Sequence, residues 1–148
     1  MAQLMFDSIL VVCMGNVCRS PTGEAMLQRF LPNKRVDSAG ITALVGKRAD
    51  QMAISVAQKH GLDIESHIAK QFTASMAVNY ELILVMEKEH ISKLTSIAPE
   101  SRGKIMLFGH WLNGVDIPDP YKKSRDAFEY VYNLIESSAN QWATKINK

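Results

Sequence analysis

Cysteine is scarce in this chain: two residues, Cys13 and Cys18, in 148 positions. That count excludes a disulfide scaffold, and two thiols alone cannot complete a tetrahedral zinc site. Histidine does not make up the shortfall, because His60, His90 and His110 stand apart without metal-ligand spacing, so no metal and no other cofactor is expected. An excess of one charge sign is also missing. The 17 basic and 15 acidic residues leave a net charge of +2, too near balance to point to a nucleic-acid partner. Long apolar runs are absent. The opening stretch MAQLMFDSILVVC carries Asp7, lacks a basic n-region and is too short to span a bilayer, so neither a signal peptide nor membrane insertion is expected and the chain reads as cytoplasmic. The nucleotide-binding pattern GxxxxGK[ST] does not occur. Neither does an internal repeat or a linker. With 47% hydrophobic and 22% charged residues, what remains is one globular domain over residues 1–148.

What is present is an alternation of two periodicities. Ser8 to Val12 (SILVV) is a short β-branched run, the pattern of a strand buried on both faces. Ser20 is placed to cap a helix with Pro21 at its first position, and Met26, Leu27, Phe30 and Leu31 follow at helical spacing. Val36 to Ala39 reads as a second strand ending at Gly40, and Asp50 caps a helix through His60 that stops at Gly61. A short helix near 73–79, a strand from Glu81 to Met86, a helix from Glu87 to about Ser96 and a strand from Lys104 to Phe108 continue the pattern. Gly109 to Lys123, with Pro118 and Pro120, is a loop longer than an ordinary connection, and a long helix from Ser124 to Ile146 closes the chain. The fold class expected is α/β: three layers, with a central four-stranded parallel sheet and helices on both faces. In such folds ligands sit beyond the carboxyl ends of the strands. Cys13 stands at that end of the first strand.

The stretch CMGNVCRSP from Cys13 to Pro21 joins this strand to the helix after it. A loop entering a helix N-terminus directs backbone N–H groups to one point, where the helix dipole also favours negative charge. Gly15 supplies conformational freedom, while Asn16 can adopt unusual dihedrals or pin the loop through its side chain. Arg19, six positions after Cys13, brings a planar fork that matches two phosphate oxygens. The surroundings that bind an anion also favour a thiolate at Cys13.

CMGNVCRSP closely resembles the signature loop of the low-molecular-weight protein tyrosine phosphatases. The resemblance extends to VDSAG at 36–40, SHIAKQ at 66–71, YELILVME at 80–87 and DPYKKS at 119–124, nearly the whole chain. GKIMLFGHW and IPDPYKKS look like the enterobacterial branch associated with capsule or exopolysaccharide tyrosine kinases. The resemblance implies the phosphotyrosine protein phosphatase I-like fold and hydrolysis of phosphotyrosine through a phosphocysteine. It makes Cys13 the nucleophile, and Arg19 with the amides of Met14, Gly15, Asn16, Val17, Cys18 and Arg19 the phosphate cradle. Asp119 of the DPY motif is implied as general acid and then base, with Asp116 the rival carboxylate, read as a solvated turn residue.

Asn16, Ser20, Ser38 and His67 match the family's supporting hydrogen-bond network. Cys18 is either a small buried residue or, by resemblance, a redox partner that closes a reversible disulfide with Cys13. Leu44 stands where animal relatives carry an aromatic pocket wall, which leaves Tyr121 as the aromatic side. Val17 replaces the threonine of relatives that act on phosphoarginine. Lys47, Arg48, Lys122, Lys123 and Arg125 either attract an acidic phosphopeptide or form a solvated rim. The partner implied is a phosphotyrosine protein, the cytoplasmic tyrosine-rich tail of a membrane tyrosine kinase. An arsenate-type thiol reductase shares the fold and loop, but its disulfide relay needs cysteines after Cys18, and the chain has none. A silent phosphotyrosine-binding module is disfavoured by the joint presence of Cys13, Arg19 and Asp119.

Overall fold

The computed structural model describes residues 4–146. Its strands are β1 (Ser8–Cys13), β2 (Arg35–Gly40), β3 (Leu82–Val85) and β4 (Ile105–Leu107). Its helices are α1 (Arg19–Phe30), α2 (Gln51–Lys59), α3 (Ala74–Ala77), α4 (Lys88–Ile97) and α5 (Arg125–Lys145), with a 3-10 turn at Pro99–Lys104. The strands form one parallel sheet in the order β2-β1-β3-β4. The chain therefore leaves β1 toward β2 and later crosses to β3 on the other side. That reversal opens a crevice at the carboxyl end of β1.

Alternation along β1 divides the core. Ile9, Val11 and Cys13 face α1, α2 and α5, in a cluster with Met26, Leu27, Val56, Phe128 and Trp142. Leu10 and Val12 face the other way, with Ile83, Val85, Phe72 and Leu94. Every residue from Ile9 to Val12 and from Leu82 to Val85 is fully buried, which explains why these strands read as unbroken apolar runs. The expected three-layer α/β architecture is the one observed.

Some local expectations need correction. α1 begins at Arg19, a residue before Ser20, with Cys18 as its N-cap and no side-chain cap. The Ser20 hydroxyl is drawn instead to Cys13 and Asn16, 3.0 Å from Cys13 Sγ and 2.7 Å from Asn16 Nδ2. It therefore leaves the first-turn amides of α1 free. Pro21 accordingly lies two residues inside the helix, where its missing N–H still costs nothing. The helix near 73–79 shrinks to Ala74–Ala77, capped by Thr73. β1 and β2 each run one residue further toward the crevice, where Cys13 pairs with Gly40. The Asp50 cap forms as expected, accepting the amides of Met52 and Ala53, and Ser124 caps α5 by accepting the Ala127 amide.

The long connection from Gly109 to Lys123 has no regular helix or strand, yet it is tied down. Ile117 is fully buried and its N–H donates to Met86 O at 2.8 Å. Before the loop, Trp142 Nε1 of α5 donates to Phe108 O at 2.9 Å. These anchors bring Asp119, two residues past Ile117, to the carboxyl edge of the sheet.

Candidate active site

The loop between β1 and α1 is built inside out. Each carbonyl from Cys13 to Cys18 accepts a bond from a group around the loop. Ile41, Thr42 and Leu44 amides reach Cys13, Met14 and Gly15 at 2.9–3.0 Å, and the Asp50 amide reaches Val17 at 2.8 Å. Thr22 Oγ1 donates to Cys18 O at 3.1 Å, and His67 Nε2 lies 2.7 Å from Asn16 O. A carbonyl can only accept, so His67 carries its proton on Nε2. Because the two ends of a peptide unit point oppositely, turning the carbonyls outward turns the amides toward the centre of the loop. Among the described residues no acceptor meets the amides of Gly15, Val17, Cys18 or Arg19.

Asn16 is the hinge of this arrangement. It is fully buried and its φ of 60° lies in the left-handed region. Gly15, expected to supply the conformational freedom, has no such φ, because asparagine tolerates the left-handed turn and adds side-chain bonds that glycine lacks. Asn16 Nδ2 donates to Ser20 Oγ at 2.7 Å and Ser38 Oγ at 3.0 Å, and Oδ1 accepts from the Lys70 amide at 2.9 Å. Ser38 passes its own proton to Glu24 Oε1 at 2.5 Å. Burial pushes the Glu24 carboxyl up, with the Ser38 bond opposing it. Burial also lowers His67 below its ordinary range, against the bond to Asn16, which raises it. Gly40 completes the support, since a Cβ there would stand 2.7 Å from Met14 O and 3.0 Å from Asn16 Cβ.

At the floor, Cys13 Sγ accepts from the Asn16 amide at 3.3 Å and lies 3.0 Å from Ser20 Oγ. Donors aimed at the sulfur stabilise negative charge on it. Arg19 is 2% exposed, and a buried guanidinium requires partners. It donates Nη1 to Glu87 Oε2 and to Ile117 O, and its Nη2 stands 3.7 Å from Asp119 Oδ2. A cavity of about 200 Å³ opens above, lined by Cys13, Gly15, Arg19, Leu44, Asp119 and Tyr121 among others. Met14, Val17 and Cys18 line it too.

Every residue singled out for this site is therefore either on the cavity wall or in the network behind it. Asp116 is not. It is exposed, as expected of a solvated residue, and its Oδ1 accepts the Lys88 amide at 2.9 Å, which ties the loop to the start of α4. Cys18 is 6% exposed, and burial, followed by the nearby Asp50, pushes its thiol well above the ordinary range. Sequence reasoning missed Glu87, the partner of Arg19. Its signal was an acidic residue directly after the apolar strand ELILVM, at the carboxyl edge where the ligand was expected. Glu87, Glu89 and His90 offer ligand atoms within 4.8 Å of one another, but the Arg19 guanidinium against Glu87 opposes a cation there.

Fold and cavity together suit a cysteine-dependent phosphatase. The model of the family described as low molecular weight phosphotyrosine protein phosphatase matches residues 8–148. The low molecular weight protein-tyrosine-phosphatase Wzb of Escherichia coli K12 is 59% identical over 143 residues, 97% of each chain. Etp of the same strain is 55% identical over 148 residues, the whole of both chains. The structure of Vibrio vulnificus Wzb in complex with benzylphosphonate superposes with a TM-score of 0.94 at 55% identity, covering 95% of this chain and 99% of that one. The chain belongs to the low-molecular-weight protein tyrosine phosphatase family.

Two outcomes follow from the Asn16 hinge. In urea unfolding, Asn16→Ala is expected to be less stable than Asn16→Gly by about 1 kcal/mol, because only alanine must strain into the left-handed region. Both variants lose kcat by about tenfold or more. Equal stabilities would mean that the turn is not held. For His67 the folded state keeps the neutral ring, whereas the unfolded chain protonates near the ordinary 6.5. Its contribution is thus complete above pH 6.5 and declines as pH falls below it. Between pH 7.5 and 5.5 the wild type should lose more stability than His67→Gln, measured as the difference in urea midpoints.

Proposed function

We propose that this phosphatase hydrolyses phosphotyrosine in proteins through a covalent phosphocysteine at Cys13. Cys13 Sγ attacks phosphorus, and the phosphoryl–phenolate bond breaks as the S–P bond forms. Charge on the equatorial oxygens is met by Arg19 and the inward amides of residues 14–19, donors that need no rearrangement during the step. Asp119 gives its proton to the leaving phenolate oxygen. The carboxylate left behind then takes a proton from water as that water displaces the sulfur, releasing phosphate. Ser20 donates to the departing thiolate. The observation that carries this reading is Cys13 Sγ, held by the Asn16 amide and Ser20 at the floor of a cavity whose walls include Arg19 and Asp119.

Leu44 and Tyr121, both on the cavity wall, are the groups against which the substrate ring rests. A relative whose structure holds benzylphosphonate, an aromatic ring one carbon from a phosphonate, supports an aryl phosphate as substrate. Cys18 is assigned a redox role. Peroxide oxidises Cys13 to the sulfenic acid, the Cys18 thiol displaces its hydroxyl as water, and a cellular thiol reduces the resulting disulfide. Two free cysteines, one of them the nucleophile, suit the reducing cytoplasm. Among the described residues no helix is long and apolar enough to cross a membrane. The substrate we assign is the tyrosine-rich cytoplasmic tail of a membrane tyrosine kinase that controls capsule or exopolysaccharide production. Its support is the likeness to the enterobacterial relatives.

The protein is expected to hydrolyse p-nitrophenyl phosphate in EDTA. Cys13→Ser abolishes turnover but still binds phosphate analogues, and Asp119→Ala lowers kcat by about 10²- to 10⁴-fold. Full activity of Cys13→Ser would overturn the mechanism. Phosphotyrosine peptides should be turned over well above phosphoarginine and phosphoserine peptides.

A further inference from the structure

Next to the phosphate cavity lies a second hollow of about 330 Å³ that the reaction does not use. The two share Val17, Leu44 and Tyr121, so they open side by side across a common wall. The far rim of the second hollow is formed by Lys47, Arg48 and the start of α2 at Asp50 and Gln51. Two cations, Lys47 and Arg48, stand against one acid, Asp50, on that rim. Lys47 and Arg48 are exposed, and Lys122 Nζ lies 5.5 Å from the centre of the Tyr121 ring, which brings a third cation to the shared wall. The acid on that rim is already engaged, since Asp50 Oδ1 accepts the amides of Met52 and Ala53 at 2.9 and 3.4 Å. Arg48 Nη2 donates to Glu65 O at 3.3 Å and rests 3.8 Å from the Glu65 carboxylate, with both side chains more than half exposed. Such a pair is worth little and exchanges readily for a better anion.

The cations are also presented on a fixed frame. Gly46 N–H donates to Ala69 O at 3.0 Å and Ala69 N–H to Lys47 O at 2.8 Å, while the Asp50 amide is hooked to Val17 O of the phosphate loop. Leu44 and Val45, 43% and 67% exposed, add an apolar edge. A basic hollow of fixed geometry, one wall away from a phosphate pocket, suits a second negative group on the molecule whose phosphate is in that pocket.

We infer that this hollow is a subsite for a second anionic side chain of the substrate, a carboxylate or another phosphotyrosine. The side chain belongs to a near neighbour of the hydrolysed phosphotyrosine in the peptide, because the two hollows share the wall of Val17, Leu44 and Tyr121. The inference rests on the reading of the Cys13 cavity as the phosphotyrosine site. The substrate class it selects is a peptide with clustered negative side chains.

The test compares three phosphotyrosine peptides that differ only in neighbouring positions, which carry glutamine, glutamate or a non-hydrolysable phosphotyrosine mimic. Wild type should show KM about three- to tenfold lower for the anionic peptides than for the glutamine peptide, at similar kcat. The preference should shrink as salt is raised from 50 to about 500 mM. The double variant Lys47→Ala/Arg48→Ala should lose the preference while its turnover of p-nitrophenyl phosphate, which has no neighbouring residues, stays at the wild-type level. Lys47→Gln alone should lose part of it, and serves if the double variant misfolds. A larger gain with the phosphate mimic than with glutamate identifies the occupant as a second phosphotyrosine, and equal gains identify any carboxylate. Equal KM values for all three peptides in wild type, or a preference undiminished in the variants, would overturn the subsite alone. Wild type inert toward p-nitrophenyl phosphate would overturn the phosphatase reading beneath it, and the subsite with it.

Discussion

The structure turns on one asparagine held in a left-handed conformation. Asn16 reverses the chain at the middle of the loop and is fixed by Ser20 from α1, Ser38 from β2, and His67 and the Lys70 amide from the segment before α3. Without that reversal, consecutive peptide units would alternate in direction, as in a strand, and could not present their amides to one point. Its bonds draw on three separate parts of the chain, so the loop acquires its shape only when the fold is complete. Gly40 shows the same dependence from the other side. It pairs with Cys13 in the sheet, and the absence of a side chain lets the loop lie against β2.

Electrostatics gives the site its second tie to the fold. Arg19 could not be buried at 2% exposure without compensation, and it is met by Glu87 after β3 and by the carbonyl of Ile117 in the long loop. The guanidinium therefore fastens together the crossover on one side of β1 and the connection that carries Asp119. Its other terminal nitrogen, Nη2, faces Asp119 at 3.7 Å, so the guanidinium and that carboxylate are set against each other on the cavity wall. The cavity is small, walled by Leu44 and Tyr121, and bordered by a basic hollow beyond them. Attraction for negative charge thus extends from the loop amides to the outer surface.

Much of this could be read from residues alone, and particular residues show why. The runs SILVV and ELILVM carry period and length sufficient to mark buried parallel strands, because both faces are covered. Asp50 announces its helix because capping is local chemistry. Ser20 misled only as a cap, which it is by local rules; its hydroxyl lies against Cys13, where the family resemblance put it, and against Asn16, which is held by Ser38 and the Lys70 amide. Asn16 takes both parts that its side chain allowed, the unusual dihedral and the pinning bonds, and Gly15 takes no positive φ, since the tertiary bonds favour asparagine there. Glu87 lay beyond reach of local reasoning. Its importance appears only when β3 is set beside β1, which places it against a residue 68 positions earlier in the chain.

The proposed reaction depends on the sulfur at the floor of the loop becoming bonded to phosphorus. The most direct measurement is to quench the enzyme in denaturant during the first turnovers of an aryl phosphate and to locate the phosphoryl group by mass spectrometry of its peptides. A phosphoryl group on the peptide that contains Cys13, absent from Cys13→Ser, is the predicted result. Turnover with no phosphorylated peptide, or with the phosphoryl group on another residue, would contradict it.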